Sequence, residues 1–299
     1  MSGAVIGWDV GGVNTKAARV MKGKVLATRT RQYEVQRDPA ALGPLLRALA
    51  HELGACEGEP HALTMTAELS QMFRTKREGV HWVLDAIGSA FPHSAVHVYT
   101  VDGCFLTPDA ARDRALDVAA ANWAATARVV AGAHPDGILV DTGSTTTDII
   151  PIVRGAVVAR GRTDPERLRS GELVYLGAVR TPIEAIVHEV PWRGAMAGVS
   201  AEGFALVGDV QVWRGELEPA EYSAPTPDGR PASRDFARER LARVVCADRE
   251  LLDDADIDAI AEYVAECAEA RIASSLTRVR REHPHLELAV VTGLGDFLG

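Results

Sequence analysis

Short apolar runs separated by glycine turns open the chain. Residues 4–10 form an apolar run that stops at Gly11-Gly12, and two further runs, 15–20 and 24–28, are joined by the turn at Lys22-Gly23. Runs of this length that are bounded by glycine are typical of strands. The pattern therefore predicts an antiparallel three-strand meander with a glycine turn between its first two strands.

Helical and strand patterns alternate after this meander. Apolar residues at helical spacing predict helices, whereas short alternating or continuous apolar runs predict strands. Up to residue 131, the predicted elements are helices at 39–53, 80–91 and 109–131 and strands at 61–66 and 95–100. Beyond the Gly- and Pro-rich stretch 161–234, they are helices at 236–246, 257–269 and 271–282 and a final strand at 286–291.

The meander pattern recurs about 130 residues later. Strands are predicted at 137–141, 147–153 and 156–160, with a turn of small residues between the first two and a hairpin turn at Arg154-Gly155. Two meanders of one design indicate an internal duplication. We therefore expect an N-terminal domain at 1–131 and a C-terminal domain at 132–299, with the last helices packing either on their own domain or back on the first.

Composition and charge exclude several classes of protein. The 299 residues carry 32 Lys and Arg against 41 Asp and Glu, a formal charge of −9, and a nucleic-acid binder needs a basic surface instead. No apolar run is long enough to cross a bilayer, and the first residues lack the basic segment of a signal peptide. The four cysteines form no C-x-x-C pair, so neither a zinc site nor a disulfide framework is predicted. We expect a cytoplasmic enzyme.

The turn between the first two strands of each meander carries the candidate chemistry. Residues 9–16 read DVGGVNTK and residues 141–148 read DTGSTTTD, so that each turn has an aspartate at the strand end and a glycine two residues later. Small side chains let successive backbone N–H groups point at one anion. We expect the two turns to face each other and hold a di- or triphosphate. For either turn taken alone, an ordinary hairpin whose glycine serves only the turn is the alternative.

The residues of these turns divide into candidate metal ligands and candidate phosphate ligands. Asp9 and Asp141 are candidate ligands of Mg²⁺, because this hard cation prefers oxygen. Lys16 is a candidate catalytic residue, because its charge can neutralise a leaving phosphate group. The candidate phosphate ligands are the small, hydroxylated or basic residues of both turns: Gly11, Gly12, Asn14, Thr15, Lys16, Gly143, Ser144, Thr145 and Thr146.

The two turns resemble the phosphate motifs of the actin/Hsp70/sugar-kinase superfamily. Residues 9–16 would be its first phosphate motif and residues 141–148 its second, and the late glycine pair Gly293 and Gly295 resembles its adenosine motif. The resemblance implies an α/β, two-domain actin-like ATPase (ribonuclease H-like) fold with a central phosphate-binding cleft. Whether ATP or ADP is a ligand stays open.

Four longer blocks resemble hydantoinase/oxoprolinase-like proteins linked to tetrahydromethanopterin C1 transfer. They cover residues 5–16, 64–69 with 76–80, 136–149 and 171–182. This group includes a synthase of the methanofuran pathway, which joins an aminomethylfuran methyl diphosphate to the phenol of tyramine or glutamyltyramine and releases diphosphate. The resemblance implies this activity, a Mg²⁺-dependent transferase acting on a small-molecule diphosphate and a phenolic amine.

The incoming phenol of such a reaction needs a general base, because its pKa is about 10. Asp148 and Glu68 are the candidates. The structural alternatives are a turn carboxylate for Asp148 and a surface helix start for Glu68. Two rival functions stay open, an ATP-dependent small-molecule kinase or ATPase of the same fold and a nucleotide-binding module without turnover. The oligomeric state also stays open, a homodimer included.

Overall fold

The computed structural model describes residues 3–298. Backbone contacts divide the chain into two units. The first comprises the residues up to 133 together with 162–164, and the second comprises 134–161 and the residues from 165 onward. The outermost residues of the two predicted domain ranges, 1, 2 and 299, lie outside the described residues.

A six-stranded sheet forms the centre of the first unit. Its strands, in the spatial order β3-β2-β1-β4-β5-β6, are β1 (Ala4–Val10), β2 (Asn14–Met21), β3 (Lys24–Gln32), β4 (His61–Met65), β5 (Val96–Tyr99) and β6 (Phe105–Leu106). The first three strands are antiparallel neighbours, whereas β4 runs parallel to β1 and β5 runs parallel to β4. The predicted meander and the two predicted strands after it are thus confirmed.

Helices of the first unit pack their apolar residues on this sheet. They are α1 (Leu42–Glu52), α2 (Lys76–Ala90), α3 (Pro108–Asp113), α4 (Ala115–Val118) and α5 (Asn122–Ala133). Side chains of β1, α1 and α2 meet in one core, which includes Ile6, Trp8, Val10, Leu42, Leu46, Leu49, Val80, Val83 and Ile87. Burial of this apolar surface holds α1 and α2 to the sheet.

The single helix predicted over 109–131 is wrong, because three helices occupy this stretch. Between α4 and α5, Ala119 is extended and Ala120 has a φ of +50°. The backbone of Ala119 pairs instead with Met65 at the end of β4. Alanine favours a helix locally, but the tertiary contact with β4 outweighs this preference and opens the helix beside the strand.

A smaller sheet forms the centre of the second unit. It has the order β10-β8-β7-β13, with β9 also paired to β8, from the strands β7 (Gly137–Thr142), β8 (Thr147–Val153), β9 (Ala156–Val157), β10 (Leu173–Val174) and β13 (Ala289–Thr292). The antiparallel pair β7–β8 and the parallel pair β7–β13 repeat the pairings of β1 with β2 and β4. The duplicated arrangement predicted from the two meanders is confirmed. A separate hairpin consists of β11 (Glu189–Trp192) and β12 (Ala195–Gly198).

Four further helices are α6 (Asp164–Ser170), α7 (Val207–Arg214), α8 (Arg234–Arg243) and α9 (Asp254–Glu282). The two helices predicted at 257–269 and 271–282 are wrong as separate elements, because α9 runs through both without a break. Asp253 and Asp256 form its capping box, and its apolar face packs against α7, α8 and β8. None of the helices in residues 3–298 has both the length and the apolar character needed to cross a membrane.

Candidate active site

The β1–β2 turn is closed by one backbone hydrogen bond. The N–H of Gly11 donates to the carbonyl of Asn14 over 2.9 Å, and Asp9 lies opposite Lys16 on the neighbouring strand. A Cβ at Gly11 would lie 2.6 Å from that carbonyl oxygen, so the turn itself requires this glycine. A Cβ at Gly12 would meet nothing within 4 Å. Neither space nor a φ in the left-handed region requires glycine there, and a phosphate ligand at Gly12 stays a prediction.

The β7–β8 turn repeats this geometry. The N–H of Gly143 donates to the carbonyl of Thr146 over 2.8 Å, and Asp141 lies opposite Asp148. In both turns the aspartate stands two residues before the glycine donor, and the four turn residues are half-buried. The structure thus brings the predicted phosphate ligands of each unit together in one turn, and the roles assigned to them stay predictions.

Asp9 has one oxygen that faces Lys16 and one that is buried. Its Oδ2 lies 4.0 Å from Nζ of Lys16, whose side chain is 64% exposed, so the pair is weak and the ammonium group faces solvent. Its Oδ1 is buried and makes no hydrogen bond to any other residue in 3–298. Burial raises the pKa of Asp9, while Lys16 and a hydrogen bond from Thr64 lower it.

The buried Oδ1 of Asp9, which has no hydrogen-bond partner in residues 3–298, is suited to be a Mg²⁺ ligand. Mg²⁺ is usually held by one or two carboxylates, with water and substrate phosphate oxygens completing an octahedron. Within residues 3–298, no group of three or more His, Cys, Asp or Glu side chains is placed to hold a metal. The protein would therefore supply only part of the coordination in either unit, through Asp9 in the first.

Trp8 and His61 support β1 directly behind Asp9. The indole Nε1 of Trp8 donates to Nδ1 of His61 over 2.8 Å, and the ring of Phe91 stacks on the imidazole. Burial lowers the pKa of His61 to about 4, so the ring is neutral at physiological pH and can accept this hydrogen bond. The strand that carries Asp9 is therefore fixed on its core side by a polar contact as well as by apolar packing.

Glu68 lies in the short 3₁₀ turn that follows β4. Only 1% of its surface is exposed, which excludes the alternative of a surface helix start. Neither carboxylate oxygen makes a hydrogen bond to another residue in 3–298. Burial raises the pKa of Glu68 to about 8 and Asp164 raises it further, while smaller effects of Lys76 and of the backbone N–H groups of Glu68 and Ala120 lower it. These N–H groups face the carboxylate without reaching hydrogen-bond geometry. A carboxyl with this pKa is mostly protonated at pH 7 and becomes a proton acceptor as the pH rises through 8.

The first turn of α2 packs directly against Glu68. A Cβ at Gly79 would lie 2.5 Å from Cα and 2.7 Å from Cβ of Glu68, so only glycine permits this approach. The start of α2 is fixed by Thr75, whose hydroxyl accepts a hydrogen bond from the N–H of Glu78. The helix begins at Lys76, four residues before the predicted start, because this cap and the contact with Glu68 add a turn.

Asp148 forms an ion pair with a buried arginine. Nη2 of Arg167 donates to Oδ1 of Asp148 over 2.7 Å and to the carbonyl of Glu172 over 3.0 Å. The side chains of Arg167 and Asp148 are 2% and 14% exposed. This contact favours the turn-carboxylate alternative for Asp148, because proton uptake there would leave a buried arginine without its counter-charge.

Residues 176–180 cover the second turn from behind. The N–H of Ala178 donates to the carbonyl of Gly143, and those of Val179 and Arg180 donate to the carbonyl of Ser144, over 2.9–3.1 Å. A Cβ at Gly177 would lie 2.4 Å from the backbone nitrogen of Thr145. Glycine at 177 is therefore a requirement of the covering segment.

The late glycine pair packs against the same hairpin. A Cβ at Gly293, which has a φ of +104°, would lie 2.4 Å from the carbonyl oxygen of Thr142 and 2.7 Å from Oδ1 of Asp141. A Cβ at Gly295 would lie 2.7 Å from Cβ of Ala178. These contacts account for both glycines without a nucleoside, and their role in binding adenosine stays a prediction.

A sequence model of the hydantoinase/oxoprolinase family, matching residues 59–299, covers four fifths of the chain. The chain belongs to the hydantoinase/oxoprolinase family. The predicted resemblance to this family is thereby confirmed, and three of the four sequence blocks, 64–69 with 76–80, 136–149 and 171–182, lie within the matched range.

Two curated relatives of this hydantoinase/oxoprolinase protein carry the same name, (4-{4-[2-(gamma-L-glutamylamino)ethyl]phenoxymethyl}furan-2-yl)methanamine synthase. The one from Methanocaldococcus jannaschii is 36% identical over 295 residues, which are 98% of this chain and 86% of the relative. The one from Methanococcus vannielii is 38% identical over 160 residues, which are 53% of this chain and 71% of the relative. Both names describe an enzyme that forms a phenoxymethylfuran.

Solved structures bear out the fold of this family member. The nucleotide-free structure of acetone carboxylase, from a study of ATP-dependent acetone carboxylation, matches with a TM-score of 0.55 and 12% identity over 93% of this chain and 62% of that one. The chain has the predicted α/β, actin-like ATPase (ribonuclease H-like) fold. At this identity the likeness concerns the fold alone.

Sequence reasoning missed two features of the candidate site. The first is the ion pair of Lys76 with Asp164 beside Glu68, whose partners are 88 residues apart in the chain. The second is the covering role of residues 176–180. Gly177 is the one local signal for it, because an isolated glycine between apolar residues indicates a close backbone approach.

Proposed function

We propose that this hydantoinase/oxoprolinase family protein is a transferase that joins an aminomethylfuran methyl diphosphate to the phenol of tyramine or glutamyltyramine and releases diphosphate. The observation that carries the proposal is the 36% identity, over 98% of the chain, to a synthase named for a phenoxymethylfuran product. That name describes an aryl ether between a phenol oxygen and a furan methylene. Displacement of a leaving group from the methylene by the phenol forms such a bond.

The bonds and electrons of this step balance without a redox partner. The phenol oxygen forms a bond to the furan methylene, while the bond between this methylene and the diphosphate oxygen breaks. The electron pair of the broken bond leaves with the diphosphate. The phenolic proton passes to a base and from there to solvent. The furan ring stabilises positive charge on the methylene, so no protein nucleophile is needed.

The first hairpin supplies the groups that suit a leaving diphosphate. The solvent-facing ammonium of Lys16 and the open backbone at Gly12 are suited to anionic oxygens. Mg²⁺ held by Asp9 would act as a Lewis acid on the phosphate oxygens. Lys16 and the turn then stabilise charge that grows as the diphosphate departs, which is commonly a large contribution to catalysis.

We assign the role of general base to Glu68. Its pKa of about 8 lies closer to that of a phenol than the pKa of an exposed glutamate does, which makes proton transfer less uphill. Its carboxylate oxygens have no hydrogen-bond partner within residues 3–298, so an incoming hydroxyl would satisfy a group that is otherwise buried at a cost. Asp148 is the weaker candidate because Arg167 already engages it.

The second hairpin supports the same class of ligand. Its turn has the hydrogen bond and aspartate spacing of the first, and a Cβ at Gly143 would make only an ordinary contact, 3.5 Å from Thr146. As at Gly12, glycine is not needed there for space. Phosphate oxygens, with Asp141 as a further Mg²⁺ ligand, suit this turn.

A single assay tests the proposal. The protein is incubated with Mg²⁺, the furan diphosphate and tyramine or glutamyltyramine, and diphosphate, the ether product and ATP hydrolysis are measured together. Diphosphate release that depends on the acceptor, with the ether found by mass spectrometry, is the expected result. ADP with a phosphorylated acceptor would replace the proposal by a kinase. Tight nucleotide binding without any product would replace it by a binding module.

A further inference from the structure

Lys76 and Asp164 form a part-buried ion pair in the first unit. Nζ of Lys76 lies 2.7 Å from Oδ2 of Asp164, and the two side chains are 26% and 17% exposed. Both belong to the first unit, although Asp164 lies in the separate segment 162–164, well beyond residue 133. Burial of an ion pair costs desolvation, so a pair at this place calls for a reason beyond stability.

The start of α2, which carries the cation of this pair, packs against Glu68. Lys76 is the first residue of the helix, and Gly79 in the same turn lies in direct contact with the backbone of Glu68. The Thr75 cap fixes this turn. The position of the Lys76 backbone relative to Glu68 is therefore set by packing rather than by a flexible loop.

The anion of the pair is held by an anchor of its own. Arg162, two residues before Asp164, makes a two-point contact with the carboxylate of Asp102, and its Nη2 lies 3.4 Å from Oδ1 of Asp117. These contacts tie the segment 162–164 to the first unit. The contacts of Arg162 with Asp102 and Asp117 therefore hold Asp164 near Lys76 independently of the ion pair.

We infer that Lys76 and Asp164 are positioning residues for Glu68: the first turn of α2 and the segment 162–164 hold a cation and an anion whose opposed fields balance, so that neither charge alone shifts the pH at which Glu68 accepts the phenol proton. The inference rests on the proposed function, in which Glu68 is the base. The direction of each field follows from charge: Lys76 favours the carboxylate and Asp164 favours the acid.

The other charged groups near the start of α2 are engaged elsewhere. Arg77 donates to the backbone carbonyl of Arg112, and Glu78 accepts a hydrogen bond from the N–H of Arg74. The opened helix at Ala119–Ala121 presents backbone rather than charge to Glu68. Lys76 lowers the pKa of Glu68 and Asp164 raises it.

Two variants that break the same ion pair separate this role from a structural one. Lys76→Met removes the cation and should move the titration of Glu68 to higher pH, whereas Asp164→Asn removes the anion and should move it to lower pH. A shift of about one pH unit in each direction is expected from a nearby charge. The double variant should titrate close to the wild type. A merely structural pair would give the same change in both single variants.

The titration is followed in two independent ways. The first is the pH profile of kcat/KM for diphosphate release. The second is ¹³C NMR of the carboxyl group in glutamate-labelled protein, assigned through the signal missing in Glu68→Gln, which needs no substrate. Lys76→Arg should keep the wild-type profile. Asp85 lies on α2, like Lys76, and forms an ion pair with Arg112. Asp85→Asn is therefore the matched control, and it should leave both readouts unchanged.

The outcomes distinguish this inference from the proposed function. Opposite NMR shifts without diphosphate release would uphold the positioning pair and overturn the proposed reaction. Diphosphate release with shifts that are absent or run in the same direction would overturn the positioning pair. If a single variant does not fold by circular dichroism, Lys76→Gln and Asp164→Ser replace it with the same opposed expectation.

Discussion

The two hairpins share a backbone and differ in how their side chains are satisfied. Near the first, Asp9 has a buried oxygen, Thr15 a buried hydroxyl and Glu68 a whole carboxylate without a hydrogen-bond partner in residues 3–298. In the second, the hydroxyl of Thr147, the counterpart of Thr15, donates to the carbonyl of Leu176 over 2.8 Å. The two turns thus share their main-chain geometry, while, within residues 3–298, the threonine hydroxyl that follows the turn has a hydrogen-bond partner only in the second.

The difference comes from the chain behind each turn. The first turn is backed by the end of the meander, where the N–H groups of Tyr33 and Val35 donate to the carbonyls of Val13 and Gly12. The second is backed by the segment 176–180, which reaches side chains as well as carbonyls. Unsatisfied buried polar atoms are costly, so the oxygens of Asp9, Thr15 and Glu68 are the ones that the proposed ligands of the first hairpin would satisfy.

The largest expected effect comes from removing the orphaned carboxylate of the first hairpin. Asp9→Ala should lower kcat/KM for diphosphate release by about 10²- to 10³-fold, the loss typical when one group that stabilises transition-state charge is removed. Its fold should persist, because Asp9 makes no strong ion pair. Asp141→Ala is the matched variant of the second hairpin and should also lose Mg²⁺-dependent turnover. Wild-type rates in either variant would remove that aspartate from the metal site.

The buried Glu68 carboxyl should make stability depend on pH. Its pKa is about 8 in the folded chain against an ordinary value of 4.5, so the folded state binds the proton more tightly. The free energy of unfolding should therefore fall as pH rises from 4.5 to 8, by up to about 1.4 kcal/mol per unit. Urea unfolding at pH 5 and pH 8 measures this fall. Glu68→Gln should abolish the part of this fall that Glu68 contributes. An equal fall in the free energy of unfolding of that variant would assign the effect to other groups.

Glycine substitutions should separate the covered turn from the open one. Gly177→Ala places a Cβ 2.4 Å from the backbone of Thr145 and should cost about 1–3 kcal/mol of stability, measured by urea unfolding. Gly12→Ala meets no atom within 4 Å and should leave stability unchanged or slightly raised, while weakening diphosphate binding measured by calorimetry. Unchanged diphosphate affinity in Gly12→Ala would show that no ligand approaches there.

The smallest expected effect contrasts the two equivalent threonines. Thr147→Val should lower the free energy of unfolding by about 1 kcal/mol, because the carbonyl of Leu176 loses its donor. Thr15→Val removes a hydroxyl that has no partner in residues 3–298 and should leave stability unchanged or raise it. Equal losses in both variants would contradict the difference between the hairpins. Weaker diphosphate binding in Thr15→Val alone would assign its hydroxyl to the ligand.

The strands of the two meanders and both turns could be predicted from the sequence because their signals are local, whereas the short strands β6, β10, β11 and β12 were not predicted. A glycine after a short apolar run marks the end of a strand, and the common spacing of Asp9 with Gly11 and of Asp141 with Gly143 marks the duplication. The helices were less predictable. The break at Ala120 depends on a contact with β4, and no residue of the alanine-rich stretch indicates it.

The surroundings of the site could be predicted only in part. Glu68 was a candidate through its sequence block, but its burial results from the approach of Gly79 on another helix. The pairing of Lys76 with Asp164 depends on how the chain returns to the first unit, and a single sequence carries no signal for a contact of that range.

The hydrogen bond between Trp8 and His61 gives strand β1 an intrinsic optical reporter. The indole is 3% exposed, adjoins Asp9 in sequence and has its N–H fixed on a neutral imidazole. Its emission should respond when cation or diphosphate occupies the turn one residue away, and again on acidification through about pH 4, when His61 gains a proton and can no longer accept. Occupancy of the first hairpin can therefore be followed by fluorescence without a label, with Trp8→Phe as the blank.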